Sequence, residues 1–326
     1  MSNFQDLPDE LVLIILENVE TKDLISCGQV SRRIRKISQE GSLWVTGNLE
    51  KKIVKAELIE VILSKGCKIL NISDSTIVGS LTLSKESQLR VLDFSQSTWA
   101  WPPSRENIGV LQKLLISCRS LQSLEMKNIC LTPAIAINIC KNGKTLKKLN
   151  MNHSVVKKYT GTAVNGLPFG YPLPNTYLQE ILNCCQKLEE VHLDGRTNRG
   201  LSGYDRRFLV KNISPNIEKL NLSTSCFIND DVNILLSRCN KIKALSLDAR
   251  YLNNGSLTNI RQQLSLTLEE LSLGSGFVRL SFNDFLELKF MPRLKILNLY
   301  NGKEDAKEIQ NLREHLPHLK INGFLN

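Results

Sequence analysis

The sequence predicts an α/β chain: a short all-α segment of three helices, then a solenoid in which a curved parallel sheet is backed by outer helices. Three observations predict it. An apolar stripe at helical spacing opens the chain, a six-residue pattern returns again and again from Cys67 onward, and apolar residues at helical spacing precede several of its returns. At 326 residues the chain exceeds one compact core. Two domains or one elongated array are therefore expected, and both apply. With 42% hydrophobic and 23% charged residues, the composition is that of a folded chain rather than a disordered one.

The first helix begins in LPDELVLIILENVE. Pro8 near the first turn loses no needed N–H, and Asp9 and Glu10 oppose the positive helix end. Leu11, Ile14, Ile15, Asn18 and Val19 follow helical spacing, and Val12, Leu13 and Leu16 widen the stripe beyond what one small neighbour covers. Part of it is expected to meet another protein. Thr21 is expected to cap a second helix carrying Leu24 and Ile25, and Gly28 to break it. A third helix then carries Val30, Ile34 and Ile37, closed by Ser42, Leu43 and Trp44. Three helices in so short a stretch are near the lower limit of independent folding, so a partner or the rest of the chain should complete their core.

The recurring units are CKILNI, LRVLDF, LQSLEM, LKKLNM, LEEVHL, IEKLNL, IKALSL, LEELSL, LKILNL and a terminal LKI, starting at Cys67, Leu89, Leu121, Leu146, Leu188, Ile217, Ile242, Leu268, Leu294 and Leu319. The last four intervals are 25, 26, 26 and 25 residues, inside the leucine-rich-repeat period. Period-two alternation puts positions four and six in the core and three, five and seven on the opposite face of a short strand. That face is the expected contact surface for a partner protein, with Asp93, Glu125, Lys127, Asn150, Asn152, His192, Asp194, Asn221, Asp248 and Tyr300 as its candidate contacts. Return helices carry Ile108, Leu111, Leu115, Cys118; Leu178, Ile181, Leu182, Cys185; and Val232, Leu235, Leu236, Cys239. Their cysteines are expected in the core. Two long intervals of 32 and 42 residues, after Leu89 and Leu146, and the stretch RTNRGLSGYDRR predict surface loops near 95–107, 153–177 and 195–212. Arg196, Arg199, Arg206 and Arg207 in the third suit carboxylate or phosphate contacts.

Composition narrows the function classes. The net charge of +10 invites nucleic acid, but the cations are dispersed, and Arg32, Arg33, Arg35 and Lys36 read as a solvated helix face, so an acidic or phosphorylated protein fits better than DNA. No apolar run approaches a membrane span and MSNFQDLPDE lacks a signal's basic region, which points to cytoplasm and/or nucleus without membrane association. Nine cysteines without a CxxC pair suit reduced thiols, with neither disulfide nor metal site expected, and no cofactor is expected. His153, His192, His315 and His318 form no metal spacing, and neither GxSxG nor a phosphate-binding glycine loop occurs, so no catalytic residue is assigned.

LPDEL, DLISCGQVSRRIRKIS and the closing SLW resemble an F-box, with Leu7, Pro8, Leu11, Ile14, Leu24, Val30, Ile34 and Trp44 on its apolar motif positions. Ile34 stands where that family often has Trp or another aromatic. The whole chain is similar to F-box/leucine-rich-repeat proteins, especially the S-phase kinase-associated branch of animals, through SLWVTGNL, LQKLLISCRSLQSLEMKNICLT and LREHLPHLKIN. The resemblance divides it into an F-box at 1–48, a linker with irregular first repeats at 49–88 and leucine-rich repeats at 89–326. It implies a non-catalytic substrate-recognition subunit of a ubiquitin ligase, docked on a Skp adaptor and through it on a cullin and a RING subunit. Its implied substrates are phosphorylated cell-cycle regulators destined for degradation, captured with a small kinase-subunit accessory protein. A repeat scaffold or a regulator of a small GTPase, without a ligase role, is the alternative.

Overall fold

The computed structural model describes residues 6–83, 86–97, 105–129, 131–152, 174–193, 203–223, 227–253, 255–274, 280–300 and 306–324. The chain divides into two compact units, Met1–Met126 and Lys127–Asn326.

The first unit opens with α1 (Asp9–Glu17), α2 (Thr21–Val30) and α3 (Arg32–Ser38). Each buries a narrow stripe: Val12 and Leu16 from α1, Leu24 from α2, Ile34 and Ile37 from α3. Ser31 caps α3, accepting the Ile34 N–H at 3.1 Å. Two expectations change here. Gly28 does not break α2 but sits buried inside it, where an added Cβ would lie 3.0 Å from Ser38 Oγ, so its role is close helix approach. Val30 ends α2 instead of joining Ile34 and Ile37, because the chain turns at the Ser31 cap.

The helices pass directly into repeats. β1 (Thr46–Asn48), β3 (Ile69–Asn71), β5 (Val91–Asp93) and β6 (Ser123–Glu125) lie parallel in that order, with Gly47 paired to Leu70, Leu70 to Leu92 and Leu92 to Leu124. β2 (Ile53–Lys55) and β4 (Thr76–Val78) form a separate parallel pair, and α4 (Ala56–Ser64) and α5 (Arg105–Ser117) pack as return helices. The stretch before Leu89, expected to be irregular, is therefore in register. A repeat strand at β1 escaped the pattern because Gly47 occupies its leucine position: a Cβ there would lie 3.0 Å from both Ile62 Cγ2 and Leu70 Cδ1, which fill the space. By the same register Trp44 takes the first position that Cys67, Leu89 and Leu121 hold in the following units.

In the second unit, β7 (Lys148–Asn150), β8 (Glu190–His192), β9 (Lys219–Leu222), β10 (Ala244–Asp248), β11 (Glu270–Gly274), β12 (Ile296–Tyr300) and β13 (Lys320–Phe324) run parallel in chain order. The return segments are α6 (Pro133–Lys141), α7 (Pro174–Cys184), α8 (Gly203–Asn212), α9 (Asn229–Arg238), α10 (Ser256–Leu264), α11 (Phe282–Leu286) and α12 (Ala306–His315). The expected loops shrink accordingly: 105–107 lies in α5, 174–177 in α7 and 203–212 is α8, while 98–104, 153–173 and 194–202 fall outside the described residues. The terminal LKI also shifts. Ile321 pairs with Leu297, so His318 and not Leu319 corresponds to Leu294.

The core is what period two dictates. Leu149, Val191, Leu220, Leu245, Leu271 and Leu297 at position four are buried, as are Leu111, Leu115, Ile181, Leu182, Val232, Leu235 and Leu236 on the return helices. Cys118, Cys185 and Cys239 are core residues as expected, as is Cys67. Burial pushes the thiols of Cys67 and Cys239 up to about 11 and that of Cys185 up to about 12.

Candidate protein-docking surfaces

The first candidate surface lies on α1 and α2. Packing on one side only leaves Leu11 46%, Ile14 54% and Val30 77% exposed, with Ile15 and Ile25 exposed as well. Pro8 is exposed and Leu7 half-buried. The remaining motif residues face inward: Leu24 and Ile34 are core, and Trp44 is 3% exposed with its indole N–H donating to the Ser38 carbonyl at 2.7 Å. The eight motif positions thus divide into five that present a surface and three that hold it. Ile15 and Ile25 join the surface; helical spacing marks both, but they lie outside the motif positions.

Polar contacts fix the helices that carry this surface. Arg33 donates to Asp9 Oδ1 from Nε at 2.7 Å and to the Leu7 carbonyl, tying α3 to the start of α1. Arg35 Nε donates to the Gly28 carbonyl at 2.8 Å. Two of the four cations expected on a solvated face therefore have structural partners. Thr21, expected to cap α2, instead accepts the Asn48 N–H of β1 at 3.2 Å. Lys52 Nζ lies 2.7 Å from Glu20 Oε2, and that hydrogen bond, with the charges of Lys52 and Lys22, holds the Glu20 carboxyl below its usual range. The helical segment is seated on the first repeat by side-chain to main-chain contacts.

The second candidate surface is the strand face opposite the core. Here the structure sorts the expected contacts. Asp93, Asn150 and Asn221 each accept the N–H two residues on, from Ser95 at 2.9 Å, Asn152 at 3.0 Å and Ser223 at 3.1 Å. Asn48 and Asn71 do the same. In these five units the polar fifth position is thus an Asx turn at the end of the strand. Asp248 makes that turn from position seven, accepting the Arg250 N–H at 3.0 Å and pairing with its guanidinium. Asn150 at 5% and Asp248 at 2% exposure are too buried to meet a partner, which corrects their assignment to the contact face. Glu125, Lys127, Asn152 and His192 are half-buried, Asp194 lies outside the described residues, and Tyr300 ends β12.

Position three supplies residues the sequence reading passed over, although period two puts them on the same face. Lys148, Glu190 and Lys219 are neighbours on β7, β8 and β9. Glu190 Oε1 lies 2.8 Å from His192 Nε2 and 3.0 Å from Lys148 Nζ, and Oε2 lies 3.7 Å from Lys219 Nζ. Burial raises the Glu190 carboxyl most, but hydrogen bonds from His192 and Lys148, with their charges, outweigh it and hold it below its usual range. Two lysines and a histidine around one carboxylate leave a cationic surplus there. Among the described residues no helix is long and apolar enough to cross a membrane.

Comparison with known proteins bears on the segment that carries the first surface. Residues 4–49 match the family model described as F-box-like. The leucine-rich repeat-containing protein LegL7 from Legionella pneumophila aligns at 10% identity and a TM-score of 0.43, over 83% of this chain and 89% of that one. With the match over residues 4–49 and the register of the strands in place, the chain is an F-box-like domain followed by a leucine-rich-repeat-like solenoid of parallel strands and return helices.

Proposed function

We propose that this chain is the non-catalytic substrate-recognition subunit of a Skp–cullin–F-box ubiquitin ligase in the cytoplasm and/or nucleus. The observation that carries the reading is the apolar surface of Leu11, Ile14 and Val30 left exposed inside the segment that matches an F-box. Leu7 and Pro8 extend that surface toward a Skp adaptor, and Leu24, Ile34 and Trp44 hold its shape. A cullin and a RING subunit join through the adaptor. The strand face then holds a protein substrate near the ubiquitin-carrying enzyme, so its contribution to the reaction is proximity.

The cationic surplus around Glu190 favours an acidic or phosphorylated segment as the substrate, with His192, Lys148 and Lys219 as first contacts. A phosphorylated cell-cycle regulator, held with or without a small accessory protein, is the finer reading. Co-expression with a Skp adaptor tests the role. The wild-type chain should co-purify, and Leu11→Ala with Ile14→Ala should weaken the complex by roughly 2 kcal/mol or more per anchor. A folded chain that binds no adaptor would leave a repeat scaffold without a ligase role.

A further inference from the structure

α6 and α7 belong to consecutive repeats, and a glycine lets their C-terminal ends meet. A Cβ built on Gly143, in the turn after α6, would lie 2.5 Å from the Cys184 carbonyl oxygen and 3.0 Å from that of Cys140. Both cysteine backbones therefore crowd the one point that the missing side chain leaves open. α6 ends one residue after Cys140, and α7 ends at Cys184. The Cys184 thiol is a neighbour that helps hold the Cys140 thiol above its usual range, after burial. Cys184 is exposed and Cys140 half-buried, whereas the adjacent Cys185 is buried in the core. Two cysteines whose backbones are drawn together across neighbouring helices are candidates for a disulfide.

We propose that Cys140 and Cys184 are a modification site, closed to a reversible disulfide by a peroxide-class oxidant so that two successive repeats are stapled together. The exposed Cys184 meets the oxidant first: its sulfur takes one peroxide oxygen, giving a sulfenic acid and one water. The Cys140 sulfur then attacks the Cys184 sulfur and displaces hydroxide, which leaves with the Cys140 proton as a second water. Two thiols lose two electrons and the peroxide gains them. Exchange with glutathione or a dithiol restores both thiols. Burial, together with the neighbouring Cys184 sulfur, pushes the Cys140 thiol up, so it stays protonated at neutral pH and closure speeds up as pH rises.

The purified full chain, treated with graded hydrogen peroxide and then blocked with N-ethylmaleimide, tests this by mass spectrometry of unreduced peptides. Fragment ions should assign a Cys140–Cys184 link in the wild type and in Cys185→Ser. Cys140→Ser and Cys184→Ser should each lose it, and dithiothreitol should reverse it. Because the link closes a long loop, the oxidised chain should melt roughly 5–10 °C higher than the reduced one. Recovery of Cys184 only as a sulfinic acid or an alkylated thiol would overturn the proposal. So would a link carried by Cys185, or one that forms only in urea.

Discussion

In α1, Leu11, Ile14 and Ile15 are exposed beside buried Val12 and Leu16, whereas in β10 and β11 Leu245, Leu247, Leu271 and Leu273 are all buried. The residue types are the same, and the difference lies in what each element has for neighbours. An interior repeat strand is flanked by strands of the adjoining repeats and covered by return helices, so its apolar residues find cover inside the chain. A helix in a three-helix domain meets its neighbours along one stripe and leaves the rest to solvent. Burying such a side chain is worth about 1.5–3 kcal/mol, which the isolated chain forgoes and a complex can collect.

The contrast breaks first at Trp44, which belongs to both regions. It closes the F-box segment and takes the first position of the opening repeat. Trp44→Ala should cost about 3–5 kcal/mol in chemical unfolding and loosen the helices and β1 together. If only one region loses stability, the joint reading is wrong.

The two faces of α1 provide the next test. Leu16→Ala should destabilise the chain by about 2–5 kcal/mol, while Leu11→Ala should stay within ~0.5 kcal/mol. Comparable losses at both positions would mean that the exposed face is covered in the free protein.

Restoring the repeat consensus with Gly47→Leu should destabilise by about 1–3 kcal/mol, since Ile62 and Leu70 already occupy the leucine's place. A gain in thermal midpoint would show an unfilled space at β1. A smaller loss is expected from Asn221→Ala, which removes the acceptor of the Ser223 N–H and should cost about 1 kcal/mol without abolishing capture of the proposed substrate. A total loss of capture with unchanged stability would return Asn221 to the contact surface.

Much of the repeat region was legible because its period is local. Positions one, four and six repeat along the chain, and the burial of four and six follows from strand alternation alone. The candidate substrate face was harder to read, since alternation fixes orientation but not what a side chain does next. Asp93, Asn150 and Asn221 point away from the core yet turn back onto their own backbone, while Lys148, Glu190 and Lys219 form a cluster only because β7, β8 and β9 stand side by side. Gly47 and Gly323 show the same limit at β1 and β13. Each takes a leucine position, and the side chains that crowd it, Ile62 and Leu70 in one case and Ile309 in the other, are settled by packing.

By itself the sequence determined the order of helices and repeats, the apolar positions that make the core and the wide apolar stripe of the first helix, because all of these depend on periods of two and 3.6 residues. Tertiary structure alone decided which of those apolar residues stay exposed, which charged residues gather on β7, β8 and β9, and which cysteine backbones are drawn together across α6 and α7. Those outcomes depend on distances between residues far apart in the chain, and these are set only when whole elements pack.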